Sequence, residues 1–307
     1  MKHTMLAAIG HTPIVRLNRL PDANSADVWI KLEGGNPTGS YKDRMALAMV
    51  EGAEASGELS NDESVLECTG GSTGSSLAFV CAVKGFPFTV ISSDAYAREK
   101  LDSMRALGAT VLIEASVGGK VTPDLWPRMR ARAEGLVESG GYSYLDQFNN
   151  PHARRGYEGM GREVLEQLPQ RIDVVCGAVG TAGMIMGVGA AVLSRNPAAR
   201  IVALEPDSSA VLSGRGPGAH GIDGTAAGSV PPLFSREVVT DVMALPEAGA
   251  RAMCRRLAAE EGIFAGTSTG LNVLAALALA RDVGSGGTVV TIACDSGFKY
   301  LDGPLYR

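Results

Sequence analysis

The sequence predicts an α/β protein built on two open, mostly parallel twisted sheets with helices on both faces. Three observations predict it. Short, nearly continuous apolar runs alternate with longer helical segments, the pattern of strands buried on both faces. At 307 residues the chain exceeds one ordinary domain. Glycine is abundant, 39 residues, and clusters where strands lead into helices, the places where an open sheet brings its backbone close to a ligand.

The elements follow in order. Residues 28–32 read as a strand, 34–40 as a Gly/Pro/Asn loop, and the stretch from there through Gly52 as a helix. Residues 64–67 are a short strand, 75–84 a helix and 88–92 a strand. The segment 98–107 is helical, with Leu101, Met104 and Leu107 at spacing three and Gly108 closing it. Residues 110–113, 173–176, 200–204 and 288–293 are further apolar strands set among helical segments. The connection 142–151, which mixes aromatic, Asn and Pro residues, reads as a domain junction. Internal repeats, low-complexity tracts and heptads are absent from the sequence.

Composition excludes several classes of function. The net charge is −5 with no long basic run, so no nucleic-acid partner is expected. No apolar stretch reaches 18 residues and the N-terminus lacks signal-peptide order, so no membrane association is expected. The five cysteines are scattered, with no C-x-x-C pair, which favours a cytoplasmic protein without disulfides or zinc. The four histidines, His3, His11, His152 and His220, are never three or four apart, so no metal site is expected.

Four glycine-rich loops carry the chemistry. In the first, Gly39 to Arg44, Lys42 opens a helix, where the dipole and burial lower an amine's pKa and make it a usable nucleophile; the alternative is a solvated lysine offset by Asp43. The second holds Thr69, Gly70, Gly71, Ser72, Thr73 and Gly74. It matches G-x-S-x-G, and so does the third, Gly266 to Gly270. A serine hydrolase using Ser72 is therefore an alternative, with His220 and Asp207 as its only late partners. The better reading is two anion cradles of backbone N–H groups and hydroxyls. The fourth, Gly177 to Gly183, follows an apolar strand and reads as a phosphate cradle at a helix N-terminus.

One lysine and these cradles form a set that pyridoxal phosphate chemistry requires. The run Asn36-Pro37-Thr38-Gly39-Ser40-Tyr41-Lys42-Asp43-Arg44 resembles the Schiff-base lysine motif of the fold-type II pyridoxal phosphate enzymes, the cysteine synthase and cystathionine beta-synthase family, whose fold is tryptophan synthase beta-like. Ile9-Gly10-His11-Thr12-Pro13 resembles that family's opening motif and Gln147-Phe148-Asn149-Asn150-Pro151 its interdomain segment. Residues Pro217 to Gly224 resemble its mobile active-site loop, and Asp295-Ser296-Gly297-Phe298-Lys299-Tyr300-Leu301 its C-terminal motif.

The resemblance implies a smaller mobile domain of residues 1–12 and 36–145, a larger one of 13–35 and 146–307, and pyridoxal 5′-phosphate between them. It implies that Lys42 forms the internal aldimine and, once freed, takes the Cα proton. Gly180, Thr181, Ala182, Gly183 and Met184 would hold the cofactor phosphate and Ser72 would lie near the cofactor. Thr69, Gly70, Gly71, Ser72, Thr73 and Gln147 would hold the substrate carboxylate. Ser296 would meet the pyridine nitrogen, a neutral partner that biases chemistry towards elimination and replacement; Asp295 next to it is the competitor.

Four departures from the family pattern stand out. Ser72 replaces a usual asparagine, Gly70 a common serine, and Ala182 and Met184 a glycine and a threonine. The implied activity is β-replacement on an O-activated, O-acetylserine-like L-serine. It would run through an aminoacrylate intermediate with a thiol or sulfide nucleophile, in amino-acid biosynthesis, by a homodimer. Threonine synthase-like γ-replacement, which the lysine motif fits equally well, and serine/threonine dehydration are the alternatives. The chain ends six residues after Leu301, so no C-terminal regulatory domain is expected.

Overall fold

The computed structural model describes residues 4–120, 122, 124–225 and 228–307. The chain forms two compact units, one of Met1–Ile9 and Lys42–Gly156, the other of Gly10–Tyr41 and Tyr157–Arg307.

The first unit carries a four-stranded parallel sheet in the order β5-β4-β3-β6, formed by β3 (Ser64–Cys68), β4 (Phe88–Ser93), β5 (Thr110–Glu114) and β6 (Tyr142–Tyr144). Helices α1 (Lys42–Ser56), α2 (Ser72–Lys84), α3 (Arg98–Ala106) and α4 (Leu125–Ser139) belong to it. Strand alternation gives β3 two distinct faces. Leu66 and Cys68 pack with Ile91 against Leu125, Met129 and Ala133 of α4. Glu67 points the other way and is fully buried.

The second unit carries a six-stranded sheet, β1-β2-β10-β7-β8-β9, from β1 (Ile14–Arg16), β2 (Asp27–Leu32), β7 (Val174–Ala178), β8 (Arg200–Pro206), β9 (Asp241–Leu245) and β10 (Thr288–Ala293). Only β1 runs antiparallel to its neighbour. Helix α5 (Ala153–Gln167) begins in the first unit and ends in the second; α6 (Gly183–Arg195), α7 (Glu247–Glu261) and α8 (Thr267–Val283) complete the set. The Ala/Leu/Val face of α8 forms the centre of an aliphatic core with β2, β7, β8 and β10. Asn272, buried in that helix, accepts from Ala178 N (2.7 Å) and donates to Ile292 O (2.7 Å), stitching the ends of β7 and β10.

The expected strands and helices form, with three additions. These are β1, β6 and β9, each at the edge of its sheet, and β6 occupies what reads in the sequence as a junction. Helix α2 starts at Ser72 rather than 75, which puts Ser72 and Thr73 in its first turn.

The joins between units fall after residues 9, 41 and 156, whereas the sequence placed them after 12, 35 and 145. Local bonding accounts for each difference. Lys31 Nζ donates to Thr12 O (2.5 Å), holding the opening motif in the second unit. Tyr41 N donates to Cys294 O (2.9 Å) and Gly39 O accepts from Ser296 N (2.9 Å), keeping the 36–41 loop there too. Gln147 N donates to Glu67 Oε2 (3.1 Å), which holds the segment after β6 in the first unit.

Candidate functional site

In the first unit the candidate residues gather at the carboxyl end of β3. Gly71 caps α2 in extended backbone without a side-chain bond. Thr73 lies in the first turn, buried, and its Oγ1 donates to Gln147 Oε1 (2.8 Å). Gln147 Nε2 reaches Cys68 O (3.4 Å). The 69–74 loop and Gln147 are thus one bonded group, in which Gly71 N donates to Thr69 Oγ1 (3.2 Å) and Gly74 N donates back to Gly71 O (3.1 Å). Space beside Gly71 is open, with nothing within 4 Å of where its Cβ would stand.

Glu67 lies beneath this group, and the sequence reading missed it. Its carboxyl accepts from Cys68 N (2.9 Å) and Gln147 N (3.1 Å). Burial pushes its pKa up to about 8; the Asp146 charge adds to that, and the two backbone donors and the Lys42 charge oppose it. The available signal was a lone carboxylate inside the apolar run Ser64-Val65-Leu66-Glu67-Cys68. Lys42, buried at the start of α1, is the cation whose field reaches Glu67.

In the second unit, the loop Gly177 to Gly183 follows β7 and leads into α6. Ala182 adopts left-handed backbone at φ +69°, a costly conformation for a residue with a Cβ that the sheet and helix around it impose. A Cβ on Gly180 would stand 2.3 Å from Gly224 O, so the 217–224 loop runs directly against this cradle. That loop is anchored at Gly221. Its N–H donates to Glu247 Oε2 (2.7 Å), its carbonyl accepts from Arg251 Nη2 (3.1 Å), and Arg251 Nε pairs with Glu247 Oε1 (2.6 Å). Burial works against the Glu247 carboxylate, but the Gly221 N–H, Arg251 and the charge of His220 together hold its pKa below the usual value.

Ser296 and Asp295 separate as adjacent residues on extended chain do. Asp295 is buried and its Oδ2 accepts from Tyr300 OH (2.7 Å). Ser296 is half-buried, with Oγ accepting from Phe298 N (3.3 Å). Gly39, at φ +74°, brings the lysine loop within van der Waals reach of Ser296 Cβ. Tyr157, fully buried and without a sequence signal, sits 5.4 Å from the Tyr41 ring and against Gly183, so the residue before Lys42 and the 180–184 cradle share one aromatic neighbour.

The donor set fits a phosphorylated pyridine aldehyde. A buried lysine opens one helix, a glycine-rich turn whose Gly180 leaves no room for a side chain beside Gly224 O leads into another, and a hydroxyl, Ser296, follows an aspartate held through one oxygen by Tyr300. His220, the histidine that the serine-hydrolase alternative needs, accepts from Ile222 N at Nδ1 (3.3 Å) in its own loop. Among the described residues no cluster of His, Cys, Asp and Glu is arranged to hold a metal, and no helix is long and apolar enough to cross a membrane.

Comparison with known proteins agrees with this geometry. The model of a family described as pyridoxal-phosphate dependent enzyme matches residues 5–295. A cysteine synthase of Staphylococcus aureus is 39% identical over 302 residues, covering 97% of this chain and 95% of that protein. The O-ureido-L-serine synthase of Streptomyces lavendulae is 37% identical over 308 residues, covering 99% and 92%. The crystal structure of O-acetyl serine sulfhydrylase isoform 3 from Entamoeba histolytica superposes with a TM-score of 0.93 at 32% identity, covering 100% of this chain and 92% of that one.

Proposed function

Because the chain belongs to the pyridoxal-phosphate dependent enzyme family, we propose that it catalyses β-replacement on an O-acetylserine-like L-serine with a thiol or sulfide nucleophile. The likeness to the cysteine synthase and O-acetyl serine sulfhydrylase supports the substrate class. The observation that carries the reaction type is the engagement of Asp295 by Tyr300. One oxygen of that carboxylate is held by the Tyr300 hydroxyl, and Ser296, which the family resemblance sets against the pyridine nitrogen, is taken as the ring's partner. A neutral partner leaves the ring a weaker electron sink, which favours loss of a β-leaving group over transamination.

Bound through Lys42, pyridoxal phosphate supplies the sink for the electrons of the Cα–H bond. Every other task falls to the chain. The backbone of Gly180, Ala182, Gly183 and Met184, with Thr181 Oγ1, holds the phosphate at the N-terminus of α6. The first-turn N–H groups of α2, with Thr69, Gly70, Gly71, Ser72, Thr73 and Gln147, hold the substrate carboxylate, and Ser72 stands near the cofactor ring. Lys42 Nζ takes the Cα proton of the substrate so oriented. The buried thiols favour a cytoplasmic protein. The family resemblance supports a homodimer, which light scattering would contradict by showing only the 31.8 kDa species.

The test incubates purified enzyme with O-acetyl-L-serine and sulfide and measures acetate and cysteine. Equal release of both is expected. Pyruvate or 2-oxobutyrate from unactivated serine or threonine, or threonine from O-phosphohomoserine, would replace this reading with dehydration or γ-replacement. The likeness to O-ureido-L-serine synthase adds hydroxyurea to the panel of nucleophiles.

A further inference from the structure

Gly70 departs from the serine common at its place, and the structure shows what stands there instead. A Cβ built on Gly70 would lie 2.1 Å from Cγ and Cδ2 of Tyr96 and 2.4 Å from Cδ1. Those atoms are the root of the ring, not the end of a flexible chain, so they cannot yield without a new rotamer. Tyr96 follows β4, and its backbone is pinned where Tyr96 N donates to Ser93 O (3.2 Å). The ring's other side rests on the cluster of Leu66, Cys68, Ile91 and α4. Burial raises the phenol's pKa, consistent with a wedged ring. The ring therefore spans from the core to the 69–74 loop, while Gly71 next along has open space.

From this contact, and resting on the reaction read above, we infer that Tyr96 is a positioning residue for the substrate carboxylate, acting through Gly70. The ring takes the volume that a side chain at 70 would fill and presses the loop into its binding conformation from below. Capture of the amino-acid substrate depends on it; capture of the nucleophile does not, because the nucleophile makes no use of a carboxylate cradle.

The test is a double-mutant cycle at 70 and 96, read by kinetics with O-acetyl-L-serine and sulfide and by amide exchange across residues 69–74. Tyr96→Ala is expected to raise KM for O-acetyl-L-serine about tenfold, with a smaller change in KM for sulfide, and to speed loop exchange by a similar factor. Gly70→Ser alone is expected to do the same by collision. Combined with Tyr96→Ala it should cost less than the two single changes multiplied. Tyr96→Phe, which keeps the ring carbons that touch Gly70, should return both readouts to within about twofold of the unsubstituted enzyme. Multiplying costs, equal shifts in both KM values, or unchanged loop exchange in Tyr96→Ala would overturn the inference. If the unsubstituted enzyme does not turn over O-acetyl-L-serine, the reading of its reaction falls, and loop exchange in the cycle still decides the Gly70–Tyr96 pairing.

Discussion

Two stretches of this chain spell the same five-residue pattern, Gly70 to Gly74 and Gly266 to Gly270, and both lead into a helix. Their surroundings differ. In the second, Thr267 Oγ1 accepts from Asp223 N (2.9 Å) and Thr269 Oγ1 from Cys294 N (3.0 Å), Gly266 lies under the Tyr300 ring, and Gly270 lies against Ala250 O. Its two threonine hydroxyls are committed to backbone and its flanks are filled, so it works as wiring for the strand end that carries Ser296. In the first, Thr73 bonds a side chain that is itself a candidate ligand group, and the space beside Gly71 is open. A sequence pattern marks a strand-to-helix turn; whether the turn binds anything depends on which of its donors the fold has already used.

Five experiments bear on that comparison. The largest effect belongs to Lys42. Lys42→Ala should lower turnover by roughly 10²–10⁴-fold and remove the borohydride-reducible adduct from its peptide. An adduct that maps to Lys31 or Lys84 instead would break the assignment. A serine-directed fluorophosphonate should label neither Ser72 nor Ser268, and labelling of either would revive hydrolase chemistry for that loop.

Next come the paired threonines. Thr73→Ala should weaken binding of an unreactive amino acid by about one to two orders of magnitude, the worth of a charge-assisted hydrogen bond. Thr269→Ala should instead cost stability, about 1–3 kcal/mol, by leaving the buried Cys294 N–H without its acceptor. Spectral titration and thermal unfolding of both variants separate the roles; a loss of affinity in Thr269→Ala matching that in Thr73→Ala would erase the distinction.

The paired glycines should differ in the same sense. A Cβ at Gly270 would stand 2.1 Å from Ala250 O and 2.5 Å from Cys254 Sγ. Gly270→Ala should therefore lower stability by about 1–3 kcal/mol. Gly71→Ala meets open space and should stay within about 1 kcal/mol, the scale of a changed helix cap. Equal melting temperatures for the two variants would mean that the second loop is less tightly filled than its contacts state.

The last contrast is one of pH. The first loop shares a bonded group with an ionisable residue, Glu67, through Gln147, whereas the helix opened by the second carries the neutral amide of Asn272. Burial holds the folded Glu67 pKa up at about 8, against 4.5 for the ordinary group. Between those values the folded state keeps a proton that the unfolded state gives up. The contribution is full below the lower value, declines as pH rises and levels off above the upper one. Glu67→Gln should flatten that decline in a melting-temperature series from pH 5 to 8, and an unchanged slope would place the titration elsewhere.

The long strands, the helices between them and the ordered motifs were legible because apolar runs and glycine punctuation are local signals. Lys42, the two glycine-rich loops and Ser296 could be proposed as site groups for the same reason, each lying in a contiguous motif. Glu67, Tyr96 and Tyr157 were not, since each matters through a neighbour distant in sequence: Gln147, Gly70 and Tyr41. The Gly70 departure could be seen in the sequence, but its cause lies 26 residues further along, in a ring whose position only the packing reveals. Likewise β1, β6 and β9 are edge or near-edge strands of three to five residues, defined by their partners more than by their composition.

The strand order of the larger sheet has a consequence for the chain's birth. Strand β2, made within the first tenth of synthesis, lies in register with β10, where Asp27 faces Thr288 and Leu32 faces Ala293. Its inner neighbour is thus almost the last strand to leave the ribosome. The four-stranded sheet, by contrast, draws all its strands from residues 64–144 and is complete well before. A nascent chain stalled after residue 156 carries one sheet able to close and one hairpin, β1 with β2, with an unpaired edge that waits for β10. Pairing across so long a span makes late closure of that edge the slow event of biosynthesis, and it is the exposed β2 edge that a chaperone would have to cover in the meantime.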